Sequence, residues 1–267
     1  MLPLPIILPA TASWAEGVVV APMPVLPVGS IIKDGVDVHG INQEVFKLPE
    51  RVIAKIFLFR WIYWGPAYAY ANDADFMPTS DKESFWQNVI DKANDKYKVL
   101  YKFQNDQVAK AQRGEIIQIP SGRQWKFELQ ETKRGYEWPV RDIVNWPNQG
   151  YAADLMTIMR VSMFNRIKKT KEYQEKKVLL FNTVHDDVEL DVDNNPEVCY
   201  NICILLEDVC KDVPTNFERI YKTPFNVPLA GEVSFDVNLR GTLWNEKKKK
   251  YSMRVFDRNL GKDQFRW

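Results

Sequence analysis

One stretch constrains this chain more than any other: Val178-Leu-Leu-Phe-Asn-Thr-Val-His185-Asp186-Asp187-Val-Glu-Leu-Asp-Val192. Two runs rich in Val, Leu and Phe flank a His-Asp-Asp core, and apolar side chains recur near every second position. That period and the β-branched content predict two strands rather than a helix. A hairpin of this kind carries its acids at the tip. Adjacent side chains on a strand point to opposite faces, so a tight turn is needed to bring Asp186 and Asp187 to one bound ion. Two carboxylates about 4 Å apart at an effective dielectric constant of about 20 repel by roughly 4 kcal/mol. If both are ionised, something positive must sit beside them, and Mg²⁺ is the usual carboxylate- and phosphate-bound ion.

The remaining composition narrows the classes. With 267 residues, 45% of them hydrophobic, the chain can build one large domain or two small ones. A formal net charge of +1 leaves no global basic field, so contact with a polyanion must come from local patches. Two candidates are Arg166-Ile-Lys-Lys-Thr-Lys171 with Lys176-Lys177, and Lys247 to Lys250. Each is equally well read as a solvated face. Cys199, Cys203 and Cys210 share one apolar run without a CxxC pair or a His partner, so buried thiols on a helix are expected rather than zinc or redox chemistry. That usage fits a reducing cytoplasm. Residues 1–32 are crowded with Pro and Val and hold one charged side chain, Glu16. They lack a basic region before the apolar stretch, and their prolines break a membrane helix, so no membrane partner is expected. The segment reads as an atypical, truncated or frame-damaged start.

Along the chain, Leu48-Pro49-Glu50 opens a helix that runs to about Tyr63 and stops at Gly65-Pro66, with Pro49 suited to the first helical position. Asp81 to Arg113 reads as one long helix with the stripe Phe85, Val89, Ala93, Tyr97, Leu100 and Val108, terminated by Gly114. Ile116–Ile119 and Gln124–Leu129 read as strands. Asn145-Trp-Pro-Asn-Gln-Gly150 reads as a loop before a helix from Tyr151 to about Ile167. Pro196–Cys210 is a helix striped by Val198, Ile202, Leu205, Leu206 and Val209, and Leu229–Leu239 a closing strand. From Glu246 the chain is polar and reads as a loosely held tail. The fold class is α+β, an antiparallel sheet with helices packed on one side.

On the helix after Pro49, Arg51, Lys55, Phe59 and Tyr63 are spaced by four, a spacing that drifts about 40° per step and makes one slanting stripe. Two cations lead to two aromatics, the order of phosphates and base in a nucleoside triphosphate. A surface basic pair beside two core aromatics has the same pattern. The chain has two histidines, His39 in Asp37-Val-His39 and His185 in the hairpin. Arg141-Asp-Ile-Val-Asn145-Trp-Pro147-Asn-Gln149-Gly150-Tyr-Ala-Ala-Asp154 adds a guanidinium and amides suited to sugar and base edges.

In this order the four segments resemble the palm and fingers of family A DNA polymerases, over about Asp34 to Trp244, with Ala54-Lys-Ile-Phe-Leu-Phe-Arg60 similar in phrase to phage replicative members. The resemblance implies template-directed DNA synthesis in viral replication, in the cytoplasm of a phage-infected bacterium, on primer-template DNA and dNTPs, with a two-ion Mg²⁺ site and scope for a processivity factor. It implies that Arg51 and Lys55 hold the incoming triphosphate with His39 assisting. Phe59 lies against sugar and base and disfavours dideoxynucleotides, and Tyr63 closes over the nascent pair. Arg141, Asn145 and Gln149 track the primer-template minor groove. His185 approaches the primer terminus, and Asp186 binds Mg²⁺ with Asp187 beside it in place of the commoner Glu. It divides the chain into an atypical segment 1–32 with a degenerate first palm strand motif, a fingers-like helical region 33–115, a palm 116–245 with the catalytic hairpin, and a polar tail 246–267.

The sequence departs from the family at definite places. A second metal-binding Asp belongs in a phrase like Asp-x-Ser-Gln-x-Glu. The counterpart here is Thr11-Ala-Ser13-Trp-Ala-Glu16, with Thr at the Asp position. Glu16 matches the residue that blocks a ribonucleotide 2′-hydroxyl, but an Arg expected near Val18 is missing. Trp64 stands where the family has Gly and is expected to crowd the templating base. The family's thumb and exonuclease precede the palm, so the chain reads as a C-terminal piece of low or no activity. Two other readings compete: a non-catalytic DNA- or nucleotide-binding remnant, and an HD-type metal phosphohydrolase built on His39 and His185-Asp186. The last chemistry places its His-Asp pair on helices, whereas strands are predicted around His185.

Overall fold

The apolar run Leu4–Pro9 forms strand β1 in the computed structural model, which describes residues 4–9 (backbone only), 37–133, 135–184, 187–225, 231–239, 241–245 and 250–265. The chain divides into two units, Val19–Tyr151 and Met1–Val18 with Ala152–Trp267.

The unit Val19–Tyr151 starts with α1, Val38–Phe46, and α2, Arg51–Ile62. A short α3, Ala67–Ala71, follows, then α4, Glu83–Lys96, and α5, Lys98–Gln112. The single long helix expected over 81–113 is thus two helices, broken at Tyr97 with φ −107° and ψ 36°. Tyr97 is held there by donating its hydroxyl to Asn42 Oδ1 (2.7 Å), and Lys96 Nζ donates to the same oxygen (2.6 Å). A stripe of side chains cannot register such a break. Gly114, φ 77°, ends α5 as expected, in a conformation that costs Gly little.

The core of these helices is aromatic. Tyr70 lies 5.2 Å from Phe57, 5.1 Å from Phe76 and 5.4 Å from Trp86, ring centre to ring centre, and all four are fully buried. Arg60 covers Tyr70 and Phe76 and pairs with Asp73 at 2.6 Å. Two hairpins come next: β2, Ile117–Gln118, with β3, Gln124–Trp125, and β4, Gln130–Thr132, with β5, Gly135–Glu137. Ile117 and Phe127 share a core with Val108, Ala111, Ile143 and Val144. Residues 116–151 therefore group with the preceding helices, not with the later sheet to which the sequence reading assigned them.

Helix α6, Val140–Ile167, runs through the division point. Here the structure corrects the sequence reading: Asn145–Gly150 is helical, with Pro147 inside the helix. A proline there removes a hydrogen bond and costs about 3 kcal/mol. Buried Ile143, Val144, Tyr151 and Leu155 on both sides outweigh it, and Asn148 Nδ2 donates to Val144 O (3.0 Å) beside the proline. Gly150 allows the indole of Trp125 to approach, since a Cβ there would meet two of its ring carbons at 2.6 Å.

In the other unit, α7, Lys171–Gln174, leads into β6, Val178–Val184, and β7, Asp187–Val192. The hairpin forms as predicted. Val188, Leu190 and Val192 are fully buried while Asp187, Glu189 and Asp191 are half-buried, the strand period expressed as burial. A bulge falls between Leu180 and Asn182. Helix α8, Pro196–Tyr221, has Pro196 at its start and Asn195 accepting from the amides of Glu197 and Val198. It runs past the expected end because Val213 and Phe217 continue the buried stripe. Strands β8, Ser234–Phe235, β9, Leu243–Asn245, β10, Lys250–Ser252, and β11, Arg254–Val255, precede a 3₁₀ segment, Arg258–Phe265. The five-stranded sheet has the order β11-β8-β1-β7-β6, with antiparallel neighbours. The closing strand expected over 229–239 is confined, among described residues, to β8.

The described part of the polar tail, residues 250–265, is not loose. Phe256 and Phe265 are buried, Phe265 lies 4.3 Å from Phe235, and Arg258 donates to Glu207 (2.9 Å) and Asp208 (2.6 Å) of α8. Two phenylalanines hidden among charges anchor it. No described helix is long and apolar enough to cross a membrane.

Candidate functional site

Ala54, Phe57, Leu58 and Trp61 turn one face of α2 into the core. That packing fixes the neighbouring face, which carries Arg51, Lys55, Phe59 and then Tyr63 just past the helix end. Arg51, not Pro49, is the first helical residue, because Glu50 is extended at φ −136° and ψ 147°. Lys55 and Phe59 are half-buried, with Lys55 Nζ 5.7 Å from the centre of the Phe59 ring. His39 of α1 is buried at 2% exposure and lies 6.1 Å from Phe59, ring to ring. Tyr63 is 40% exposed, and partial burial pushes its hydroxyl pKa up. The structure thus gathers His39, Arg51, Lys55 and Phe59 onto one patch and continues it to Tyr63.

Asp37 caps α1 by accepting from Gly40 N–H (3.1 Å). The same carboxylate receives Arg51 Nε (2.8 Å to Oδ2, 3.0 Å to Oδ1) and Nη2 (2.8 Å to Oδ1). The Arg51 guanidinium holds this carboxyl well below its ordinary range, at about 2.

Trp64 adopts the left-handed conformation, φ 58°, which a bulky residue rarely takes and glycine takes freely. The expectation that it crowds the space beside Tyr63 meets a specific arrangement. The indole Nε1 donates to Gln104 Oε1 (2.8 Å) on α5, Gln104 Nε2 donates to Ile62 O (2.7 Å), and the indole lies 6.4 Å from the Tyr101 ring. Gln104 was invisible as a site-supporting residue. Its one signal is a polar side chain in the buried stripe Leu100, Gln104, Val108, Ala111.

Because α6 is helical from Val140, Arg141, Asn145 and Gln149 sit at four-residue spacing on one helical stripe rather than along a loop. Arg141 and Gln149 are exposed. Asn145 is half-buried, with Oδ1 buried and lacking a hydrogen-bond partner among the described residues, an arrangement that calls for a reason.

In the sheet-bearing unit, strands flank the hairpin turn, and Asp187 pairs in register with Val184 and with Pro9 of β1. His185, Asp186, Thr11 and Glu16 lie outside the described residues. Among described residues no three His, Cys, Asp or Glu side chains are grouped as a metal requires. The sequence reading sets Thr11, a hydroxyl, at the position where a two-ion site takes a bridging carboxylate.

Half of the basic run is spent locally: Arg166 pairs with Asp212, and Lys171 and Lys177 with Glu175. Lys247–Lys249 lie outside the described residues. Cys199, Cys203 and Cys210 are buried, free thiols on α8, as expected. Burial pushes Cys199 and Cys210 up to about 12 and Cys203 in the same direction.

No curated protein matches the chain in sequence. Among solved structures, the POL domain of Pol1 from M. smegmatis, in complex with DNA primer-template and dNTP, superposes with a TM-score of 0.64 at 17% identity, covering 88% of this chain and 40% of that chain. That likeness establishes the α+β fold, an antiparallel sheet with packed helices and a helical subdomain, and shows that the chain spans less than half the length of its structural neighbour. Residues 30–240, well over half of the sequence and all four motif segments from Asp37 to Asp187, match DNA polymerase family A, and the chain belongs to that family.

Proposed function

We propose that this chain carries the nucleotide-binding helix and the palm hairpin of a DNA polymerase whose lineage chemistry is template-directed transfer of a nucleotide from dNTP to a primer 3′-hydroxyl. The observation that carries the reading is the patch of His39, Arg51, Lys55 and Phe59 continued to Tyr63. Arg51 and Lys55 supply charge to the triphosphate, His39 lies behind the ring of Phe59, and Phe59 and Tyr63 offer flat faces to sugar and base. Arg141, Asn145 and Gln149 present donors and acceptors to the minor groove of primer-template DNA, and His185 approaches the primer terminus. In the family's chemistry a divalent ion neutralises triphosphate charge, and in this chain Asp186 with Asp187 would hold one. The phrase Ala54–Arg60 favours a phage lineage, acting in viral DNA replication in the cytoplasm of a bacterial host.

Thr11 favours a second reading for the present chain, a nucleotide- and DNA-binding remnant without turnover. Both readings require dNTP binding. Titration of the full chain with dATP, followed by calorimetry, should show saturable binding, weakened about tenfold or more in Arg51→Ala and Lys55→Ala, since each removes a charge-assisted contact. Equal binding by all three proteins would overturn both. Primer extension in Mg²⁺ should be undetectable; incorporation directed by the template would exclude the remnant.

A further inference from the structure

The motif Asp37-Val-His39 leaves one residue without a part in the function above, and the structure gives that residue a definite position. Asp37 grips the Nε–Nη2 edge of Arg51 through three hydrogen bonds of 2.8 to 3.0 Å, with both side chains about half exposed (54% and 52%). The guanidinium that would meet a triphosphate is therefore already held by an oxyanion of this chain. The carboxylate has a second donor of its own, the Gly40 amide at the start of α1. Releasing Arg51 does not strand it, because it keeps that cap and its contact with water. An exposed ion pair of this kind is weak and readily exchanged.

We propose that Asp37 is a built-in competitor for Arg51, which parks the guanidinium between nucleotides and is exchanged for phosphate oxygens when a triphosphate binds. The inference rests on the reading of the α1–α2 patch as the triphosphate site. The exchange swaps one bidentate oxyanion partner for another, with no bond made or broken and no proton moved. Its consequence is a deliberate reduction in affinity, because each binding event must break the internal pair. The effect belongs to Arg51 and not to Lys55, whose ammonium stands over the Phe59 ring.

The test is Asp37→Asn, because asparagine caps a helix about as well as aspartate, so α1 keeps its start while the ion pair is lost. In dATP titrations of the full chain, Asp37→Asn should bind about fivefold more tightly than the parent. In an Arg51→Ala background the same substitution should give a clearly smaller gain, limited to relief of charge repulsion. A slowly exchanging Arg Nε–H resonance of the nucleotide-free protein should disappear in Asp37→Asn and move on adding dATP to the parent. If the parent does not bind dATP, or Arg51→Ala binds as well as the parent, the triphosphate site itself is wrong. If the parent binds and Arg51→Ala weakens it, but Asp37→Asn binds equally or less tightly, then only the competitor role is overturned. An unchanged melting curve for Asp37→Asn at low pH controls for folding.

Discussion

Asp37 and Trp64 show how much of this site is set by contacts that no helical or strand period announces. The Asp37–Arg51 pair joins residues 14 apart in sequence, and neither the helical period nor the strand period predicts such a contact. It has a pH signature. The Asp37 carboxyl, ordinarily near 3.8, is held at about 2 in the folded chain, chiefly by Arg51. A carboxylate depressed in this way stabilises the fold above its unfolded pKa and loses that contribution as pH falls through the folded one. Asp37→Asn should therefore melt below the parent at pH 6, with the gap closing between about pH 4 and 2. A gap that is constant down to pH 2 would show that the ion pair does not contribute. Trp64 is a different case. The sequence marks it as an oddity beside Gly65, but only the backbone explains it: the position demands a left-handed residue, and the bond to Gln104 holds a tryptophan there at some cost in strain.

At the level of elements, those with strong periods were legible. The hairpin 178–192, helix α2 and the start of α8 follow from alternation, a four-residue stripe and an apolar stripe opening after Pro196. The first part of helix α6 was not, although its continuation from Tyr151 to Ile167 was, because Asn-Trp-Pro-Asn-Gln-Gly carries every local mark of a turn, and burial of residues on both sides of Pro147 overrides it. The break at Tyr97 and the anchored C-terminal segment were missed for the same reason: each depends on partners distant in sequence, Asn42 in one case and Phe235 with Glu207 in the other. The aromatic core of α2–α4 makes a firm prediction. Trp86 is fully buried against Phe57, Tyr70, Phe76 and Phe85, and its Nε1 donates to Ser80 O at 2.8 Å. Trp86→Ala should cost about 3–5 kcal/mol in chemical denaturation. A loss under about 1 kcal/mol would mean that the cluster closes over the gap.

For the molecule as a whole, the class of fold and the polymerase lineage were readable from four motifs in order, while the division of the chain was not. Residues 116–151 look like the start of a sheet, yet Ile117 and Phe127 join the core beneath α5. The five-stranded sheet has a rim with consequences for handling the protein. One edge of the sheet, opposite β11, is β6, and it exposes Leu179 (57%), Phe181 (47%) and Val184 (41%) around its bulge. A border of that kind invites self-association at high concentration. Phe181→Lys should raise the concentration at which light scattering first detects oligomers while leaving the melting temperature nearly unchanged. If scattering onset does not move, copies meet elsewhere. The bulge at Phe181 interrupts the regular ladder that a second copy would have to extend, so the strand that exposes these side chains carries its own obstacle to edge-to-edge growth.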